Sequence, residues 1–289
     1  MSKILVTGAT GQLGSEIKTI ATNYPQHDFT FADRSALDIS NLCKLEDYFD
    51  DKTFDVIINC AAYTAVDKAE NENDLADTIN HRAVSLLAKI AKKKNMTFIH
   101  ISTDYVFDGQ NYRPYIETDT TDPQGVYGRT KQDGENAILD VALKNSIIIR
   151  TSWVYSSFGS NFVKTMLRLG KERDALGVIF DQVGTPTYAH DLAKTILDIL
   201  PQINNESPEI YHYSNEGVIS WYDFSQAIFE LSKIQCQINP ITTDQYPTQA
   251  KRPHYSLLNK SKIKNNFEIT IPYWRDSLKK CLKELGEIK

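Results

Sequence analysis

The segment Gly8-Ala9-Thr10-Gly11-Gln12-Leu13-Gly14 stands directly behind the apolar run Lys3-Ile4-Leu5-Val6-Thr7. A buried strand that turns into a helix over three glycines leaves the first N–H groups of that helix, and its positive dipole end, without partners. Such an end suits a pyrophosphate. Glycine lets the chain turn tightly, approach the phosphates and pack helix against strand, which assigns Gly8, Gly11 and Gly14 a steric role. The opening is therefore a β-turn-α unit that points to a dinucleotide. The spacing is G-x-x-G-x-x-G rather than G-x-G-x-x-G, and glycine-rich turns are common, so the turn alone does not name the ligand.

The rest of the first half continues that unit. Strands are expected at 29–33, 55–59, 97–102 and 146–150, with helices at 12–22, 42–49, 75–94 and 127–143. Repeated β-α-β implies an α/β, Rossmann-type doubly wound parallel sheet over residues 1–150. After Arg150 the rhythm changes. Helices are expected at 162–171, 189–200, 221–233 and 274–285, and short strands at 178–181 and 210–214. Prolines 240, 247, 253 and 272 break what lies between into loops. Residues 151–289 then form mainly a smaller substrate-binding lobe, with return elements to the sheet near 178–200. A chain of 289 residues accommodates both parts.

Composition removes several classes. The net charge of −5 predicts no nucleic-acid footprint. No apolar run approaches the roughly 20 residues of a membrane helix, and the chain begins on a strand without the pattern of a signal peptide, so a cytoplasmic protein is expected. Cys43, Cys60, Cys236 and Cys281 are scattered without a C-x-x-C pair, as reduced core or surface thiols would be. The six histidines (27, 81, 100, 190, 212 and 254) show no ligand spacing, so no metal site is assigned.

In parallel sheets ligands sit beyond the C-terminal strand ends. That rule selects Gly8–Gly14, Asp33-Arg34, Asn59–Asp67, Ser102–Asp108 and Thr151–Tyr155. Tyr127 and Lys131 stand at i and i+4, on one face of the helix after the fourth strand. An ammonium beside a phenol favours phenolate and lowers its pKa, so this tyrosine can exchange a proton with a substrate oxygen. Taken alone, a Tyr-x-x-x-Lys pair is most often solvated surface. In Ser102-Thr103-Asp104-Tyr105 a hydroxyl at the end of the fourth strand can donate to a carbonyl oxygen being reduced; a Ser/Thr turn is the bland alternative.

Glycine turn, hydroxyl and Tyr-x-x-x-Lys in that order resemble the extended short-chain dehydrogenase/reductase superfamily. More specific segments are similar to the dTDP-4-dehydrorhamnose reductase family: NCAAYTAVDKAE at 59–70, STDYVFDG at 102–109, RTSWVY at 150–155, NFVKTML at 161–167, DQVGTP at 181–186, and Arg252-Pro253 with Ser256 and Leu258. The likeness runs essentially end to end. It implies reduction of the 4-keto group of dTDP-4-dehydro-6-deoxy-L-mannose with NADPH or NADH. By resemblance Thr103, Tyr127 and Lys131 are catalytic. The backbone of Gln12 and Leu13 meets the pyrophosphate between Gly11 and Gly14, Asp38 and Ile39 lie on the adenine side, Ala61 and Ala62 form a smooth wall, and Lys131 binds the nicotinamide ribose. Thr64, Val66, Asp67, Asp104 and Trp153 line the sugar-nucleotide pocket. Arg252 could pair with its pyrophosphate, a reading from charge alone; a surface ion pair for Arg252 and a core position for Trp153 are the alternatives. Some members carry a metal at a subunit contact; this leaves open a Mg2+ and a homodimer without establishing either.

One local departure is Gln124-Gly125 ahead of Val126-Tyr127, where relatives often carry Leu-Asn; the glycine is expected to loosen the start of the catalytic helix. Asp33 favours NAD by bonding ribose hydroxyls, whereas Arg34 attracts a 2′-phosphate, so both cofactors are expected to be usable; with Asp38-Ile39 on the adenine side, a plain turn residue is the alternative for Asp33. Two rival readings remain: another nucleotide-sugar reductase or epimerase of the extended family, and a non-catalytic subunit like the regulatory partner of methionine adenosyltransferase.

Overall fold

The computed structural model describes all residues 1–289. Six parallel strands make the central sheet: β1 (Ser2–Thr7), β2 (His27–Ala32), β3 (Val56–Asn59), β4 (Thr97–Thr103), β5 (Ser146–Thr151) and β10 (Glu209–Tyr213). Their order is β10-β5-β4-β3-β1-β2, and every neighbouring pair is parallel. All residues of β3 and β5 are buried, as strands covered on both faces must be. The connection reverses direction between β1 and β3, which opens the ligand crevice at their C-terminal ends.

Helices cover both faces. On one side α1 (Gln12–Ile20) packs with α8 (Ala189–Ile199) and α10 (Ser261–Phe267) over a core that includes Ile17, Leu192, Ile196 and Ile263. On the other side lie α2 (Leu42–Asp47), α3 (Val66–Ala69), α4 (Asn73–Asp77), α5 (Ala83–Lys94) and α6 (Val126–Val141). In α5 the buried positions Ala83, Val84, Leu87, Ala88, Ile90 and Ala91 make one apolar stripe. Three lysines in its last turn complement the dipole, and Asn95 stops it in the left-handed conformation at φ 52°. The helix expected at 75–94 is α4 and α5 joined through a π-turn at Thr78–Arg82. That turn sends Asn80 inward, where it bonds the backbone of Tyr63 in both directions and Thr130 Oγ1 at 3.2 Å.

The second lobe contains β6 (Val154–Tyr155), α7 (Phe162–Glu172), β7 (Ala175–Ile179), β8 (Val183–Gly184), β9 (Thr187–Tyr188), β11 (Ile219–Ser220), α9 (Trp221–Ser232), β12 (Gln237–Ile241) and α11 (Trp274–Glu284). Two details differ from the sequence expectation. The strand near 178 does not return to the main sheet: β7 pairs with β12, and the sixth sheet strand is β10. Pro240 does not break the chain into a loop but sits within β12, in a two-stranded sheet where a missing N–H is tolerated. All four cysteines are free. No helix is long and apolar enough to cross a membrane.

Candidate active site

The glycine turn is tight in the places a dinucleotide needs. Gly8 has φ +65°, and a Cβ on it would lie 2.7 Å from the Ala61 amide nitrogen; on Gly14 it would lie 2.4 Å from the Gly8 carbonyl oxygen. Side chains at either position would push β1, the turn and the loop after β3 apart. Gly11 caps α1 without a side-chain hydrogen bond, so the first amides of the helix face outward. This cradle fits a pyrophosphate. Leu13 is fixed by burial in the core beneath it. The Gln12 side chain is engaged elsewhere, accepting from Asn161 Nδ2 at 3.0 Å. Ala61 flanks Gly8, and Ala62 follows it, partly exposed.

At the end of β2 Asp33 Oδ1 accepts from Ser35 Oγ and the amides of Ser35 and Ala36, which leaves Oδ2 without a protein partner. The Ser35 hydroxyl, first, and those amides hold it below the usual carboxylate range. Arg34 pairs with Asp38 at 3.4 Å, Asp38 also accepts from Ser40, and Ile39 is core. Both Asp38 oxygens are thus engaged, whereas Asp33 Oδ2 stays open to a ribose hydroxyl.

Four side chains meet where β4 ends and α6 begins. Thr103, the last residue of β4, accepts from the Tyr105 amide at 3.2 Å and donates to Asp104 Oδ1 at 3.0 Å. Asp104 is buried, its Oδ2 has no partner, and burial pushes its carboxyl up to about 7. Tyr127 lies edge-on to Tyr105, with ring centroids 5.4 Å apart. Burial pushes its phenol up, and the neighbouring Thr103 hydroxyl opposes the rise. The expected lowering by Lys131 is not what the structure shows. Lys131 Nζ is instead bonded to the Ile101 carbonyl at 2.6 Å and to His100 Nε2 at 3.2 Å.

The start of α6 is not loose. Gly125 is the N-cap and offers no side chain, but the Glu70 carboxylate accepts from the Val126 amide at 2.8 Å and occupies the space a Cβ on Gly125 would need. A carboxylate from the end of α3 thus supplies the cap that the local sequence lacks. Farther along α6, Glu135 accepts from Ser102 and, in a bidentate pair, from Arg150 of β5, with both side chains almost fully buried. These two anchors set the position of Tyr127 and Lys131 against β4.

The remaining predicted residues divide. Asp67 and Arg252 pair at 2.6 Å, and Arg252 also donates to Tyr105 Oη at 3.0 Å. Both line a cavity of about 1010 Å³ that runs into the second lobe between α7, β7 and the 246–249 loop. Thr64 lies exposed in the loop leading into α3 and Val66 is the first residue of that helix, both outside that lining. Trp153 adopts φ +48°, an uncommon conformation for a bulky residue. Its ring stacks on Trp221 at 3.6 Å, and Trp221 and Phe162 line the cavity wall. Sequence reasoning did not single out Trp221, Tyr105, His100 or Glu70, whose roles come from contacts between distant segments. Away from this site, Asp77, His81 and Asp133 bring their ligand atoms within 4.8 Å of one another, although Asp77 already binds Arg82 at 2.6 Å.

The family described as RmlD substrate binding domain matches residues 2–287. The chain belongs to that family. Among relatives, a dTDP-4-dehydrorhamnose reductase of Aggregatibacter actinomycetemcomitans is 43% identical over 288 residues, covering 96% of this chain and 98% of its own. A crystal structure of a dTDP-4-dehydrorhamnose reductase from Clostridium acetobutylicum superposes with TM-score 0.92 at 41% identity, covering 98% of this chain and 99% of the other. Another, from Bacillus anthracis in complex with NADP, gives TM-score 0.92 at 35% identity over the same shares. Family membership thus extends across both lobes, and the glycine cradle and the β4–α6 cluster lie within the matched residues.

Proposed function

We propose that this protein reduces the 4-keto group of dTDP-4-dehydro-6-deoxy-L-mannose (dTDP-4-dehydro-β-L-rhamnose) to dTDP-β-L-rhamnose with NAD(P)H, the last step of dTDP-rhamnose synthesis. The observation that carries the reading is the meeting of Thr103, Asp104, Tyr127 and Lys131 at the end of β4. Nearby a large cavity begins at Asp67 and Arg252. The names of the full-length relatives support the choice of substrate.

Bound on the Gly8–Gly14 cradle, the dinucleotide supplies the hydride. Everything else falls to the chain. Thr103, turning its hydroxyl from Asp104, donates a hydrogen bond to the C4 oxygen, and Tyr127 passes that oxygen its proton, leaving a secondary alcohol and a phenolate. Burial keeps the Tyr127 phenol protonated, as an acid requires, but makes the phenolate costly. The Thr103 hydroxyl offsets part of that cost. The unpartnered Asp104 Oδ2 is placed to bond a sugar hydroxyl. Arg252 exchanges Asp67 for the substrate diphosphate, whose oxygens accept in the same way and carry more charge. The activity belongs in the cytoplasm, with NADPH and NADH both accepted.

The test follows nicotinamide absorbance with the dTDP-linked keto sugar and with UDP- and GDP-linked analogues, using NADPH and NADH. Oxidation with the dTDP sugar is expected. Turnover of a UDP- or GDP-sugar alone would move the protein to another reductase or epimerase. Cofactor binding without turnover of any keto sugar would favour a non-catalytic role.

A further inference from the structure

A buried polar chain runs under the sheet ends and stops on Lys131. Thr7 Oγ1 lies 2.6 Å from Asn59 Oδ1, the Asn59 side-chain nitrogen lies 3.1 Å from His100 Nδ1, and His100 Nε2 lies 3.2 Å from Lys131 Nζ. The first three residues come from β1, β3 and β4. They are direct cross-strand neighbours, Thr7 opposite Asn59 and Asn59 opposite His100. None of the four is more than 1% exposed.

An ammonium at that depth needs acceptors in place of water. The Ile101 carbonyl is one. The imidazole is the other, and to accept it must present a lone pair at Nε2 and carry its proton on Nδ1. The Asn59 amide stands with its oxygen toward the Thr7 hydroxyl and its nitrogen toward His100; a half-turn of the amide, which exchanges two groups of nearly equal size, gives the Nδ1 proton its acceptor and hands an N–H to Thr7, whose hydroxyl can donate or accept.

The geometry points to His100 as a positioning residue: a neutral imidazole, held in one tautomer by Asn59 and Thr7, that keeps Lys131 charged and its Nζ at the end of β4. Thr7 immediately precedes Gly8, so the chain also ties the strand that carries the cofactor turn to the lysine that serves the reaction. The inference rests on the reductase reading for what Lys131 does, but not for what holds Lys131.

The charges around Nζ fit this role. Burial, and then the lysine's own charge, hold His100 well below 6.5, so the ring stays neutral. Burial brings Lys131 down to about 8, with Glu135 of the same helix opposing. Tyr127 lies one turn before it, Arg150 of β5 is neutralised by Glu135, and Asp104 and Tyr105 act on Tyr127.

The experiment compares wild type, His100→Leu, His100→Gln and Asn59→Ala in two readouts: the pH profile of kcat/KM, and NADPH affinity against pH by fluorescence titration. Lys131 is charged below about 8 and neutral above, so the alkaline limb reports it. Loss of the imidazole acceptor disfavours the ammonium, and H100L should move that limb by about one unit toward lower pH. H100Q, whose amide oxygen reaches toward Nζ, should restore most of it. N59A leaves the ring but frees its tautomer, and should move the limb the same way by less; it carries the test with H100Q if H100L does not fold. A limb unmoved in every variant, with only kcat or stability lowered, would overturn the inference. If wild type binds NADPH but reduces no keto sugar, the reductase reading fails instead. The shift is then sought in NADPH affinity, and its absence there overturns the positioning role.

Discussion

Asp104→Asn isolates one buried charge. The side chain is 3% exposed, and burial lifts its carboxyl to about 7 from an ordinary 3.8. The folded chain therefore keeps a proton that the unfolded chain releases. Stability is unaffected by this group below about pH 4, falls as pH rises from about 4 to 7, and stays at the reduced level above. The full cost is about 4 kcal/mol, at about 1.4 kcal/mol per pH unit. Asparagine keeps the shape, the acceptor toward Thr103 and a donor at the orphaned position, but never ionises. Asp104→Asn should match wild type at pH 4 and become more stable above pH 7 by up to about 4 kcal/mol, roughly 6 °C in Tm for a chain this long. Thermal melts of both proteins from pH 4 to 9, plotted as a difference, read this directly. A difference curve flat across that range would refute the buried-carboxyl argument. Turnover of the variant should fall even where stability rises, because the role proposed for the orphaned oxygen is to bond a sugar hydroxyl.

Three further outcomes follow from the geometry. Tyr127→Phe should lower kcat by about 10²–10⁴-fold while NADPH affinity, measured by fluorescence titration, stays within a few-fold of wild type, because only the proton donor is lost. Gly8→Ala should abolish NADPH binding and lower Tm, since the new methyl meets the Ala61 backbone at 2.7 Å and φ +65° strains the residue by about 1 kcal/mol or more. Glu70→Ala should cost about 1 kcal/mol in denaturant melts by uncapping α6, and should lower kcat more than it raises the KM for NADPH.

Much of the architecture was legible along the chain because its cause is local. Strands such as Val56-Ile57-Ile58-Asn59 are buried on both faces and read as short apolar runs, while α5 reads as a periodic stripe. The β-α alternation then forces parallel pairing. Gly8, Tyr127 and Lys131 were legible for a similar reason: a tight turn and a one-turn helical spacing are properties of adjacent residues. Pro240 and the strand near 178 were misread because pairing in the second lobe depends on a partner some sixty residues away. The expected softness at Gly125 was misread because its cap comes from Glu70.

The sequence by itself determined the doubly wound sheet, the dinucleotide turn and the types of side chain that could reduce a ketone, since propensity, periodicity and glycine sterics act over a few residues. Only the tertiary structure decided what those side chains experience. Burial raises Tyr127 and Asp104, Lys131 turns toward His100 and Ile101 rather than the phenol, and Asp67 occupies Arg252. Desolvation and partner choice are set by which distant segments close over a group, and no local pattern of residues encodes that.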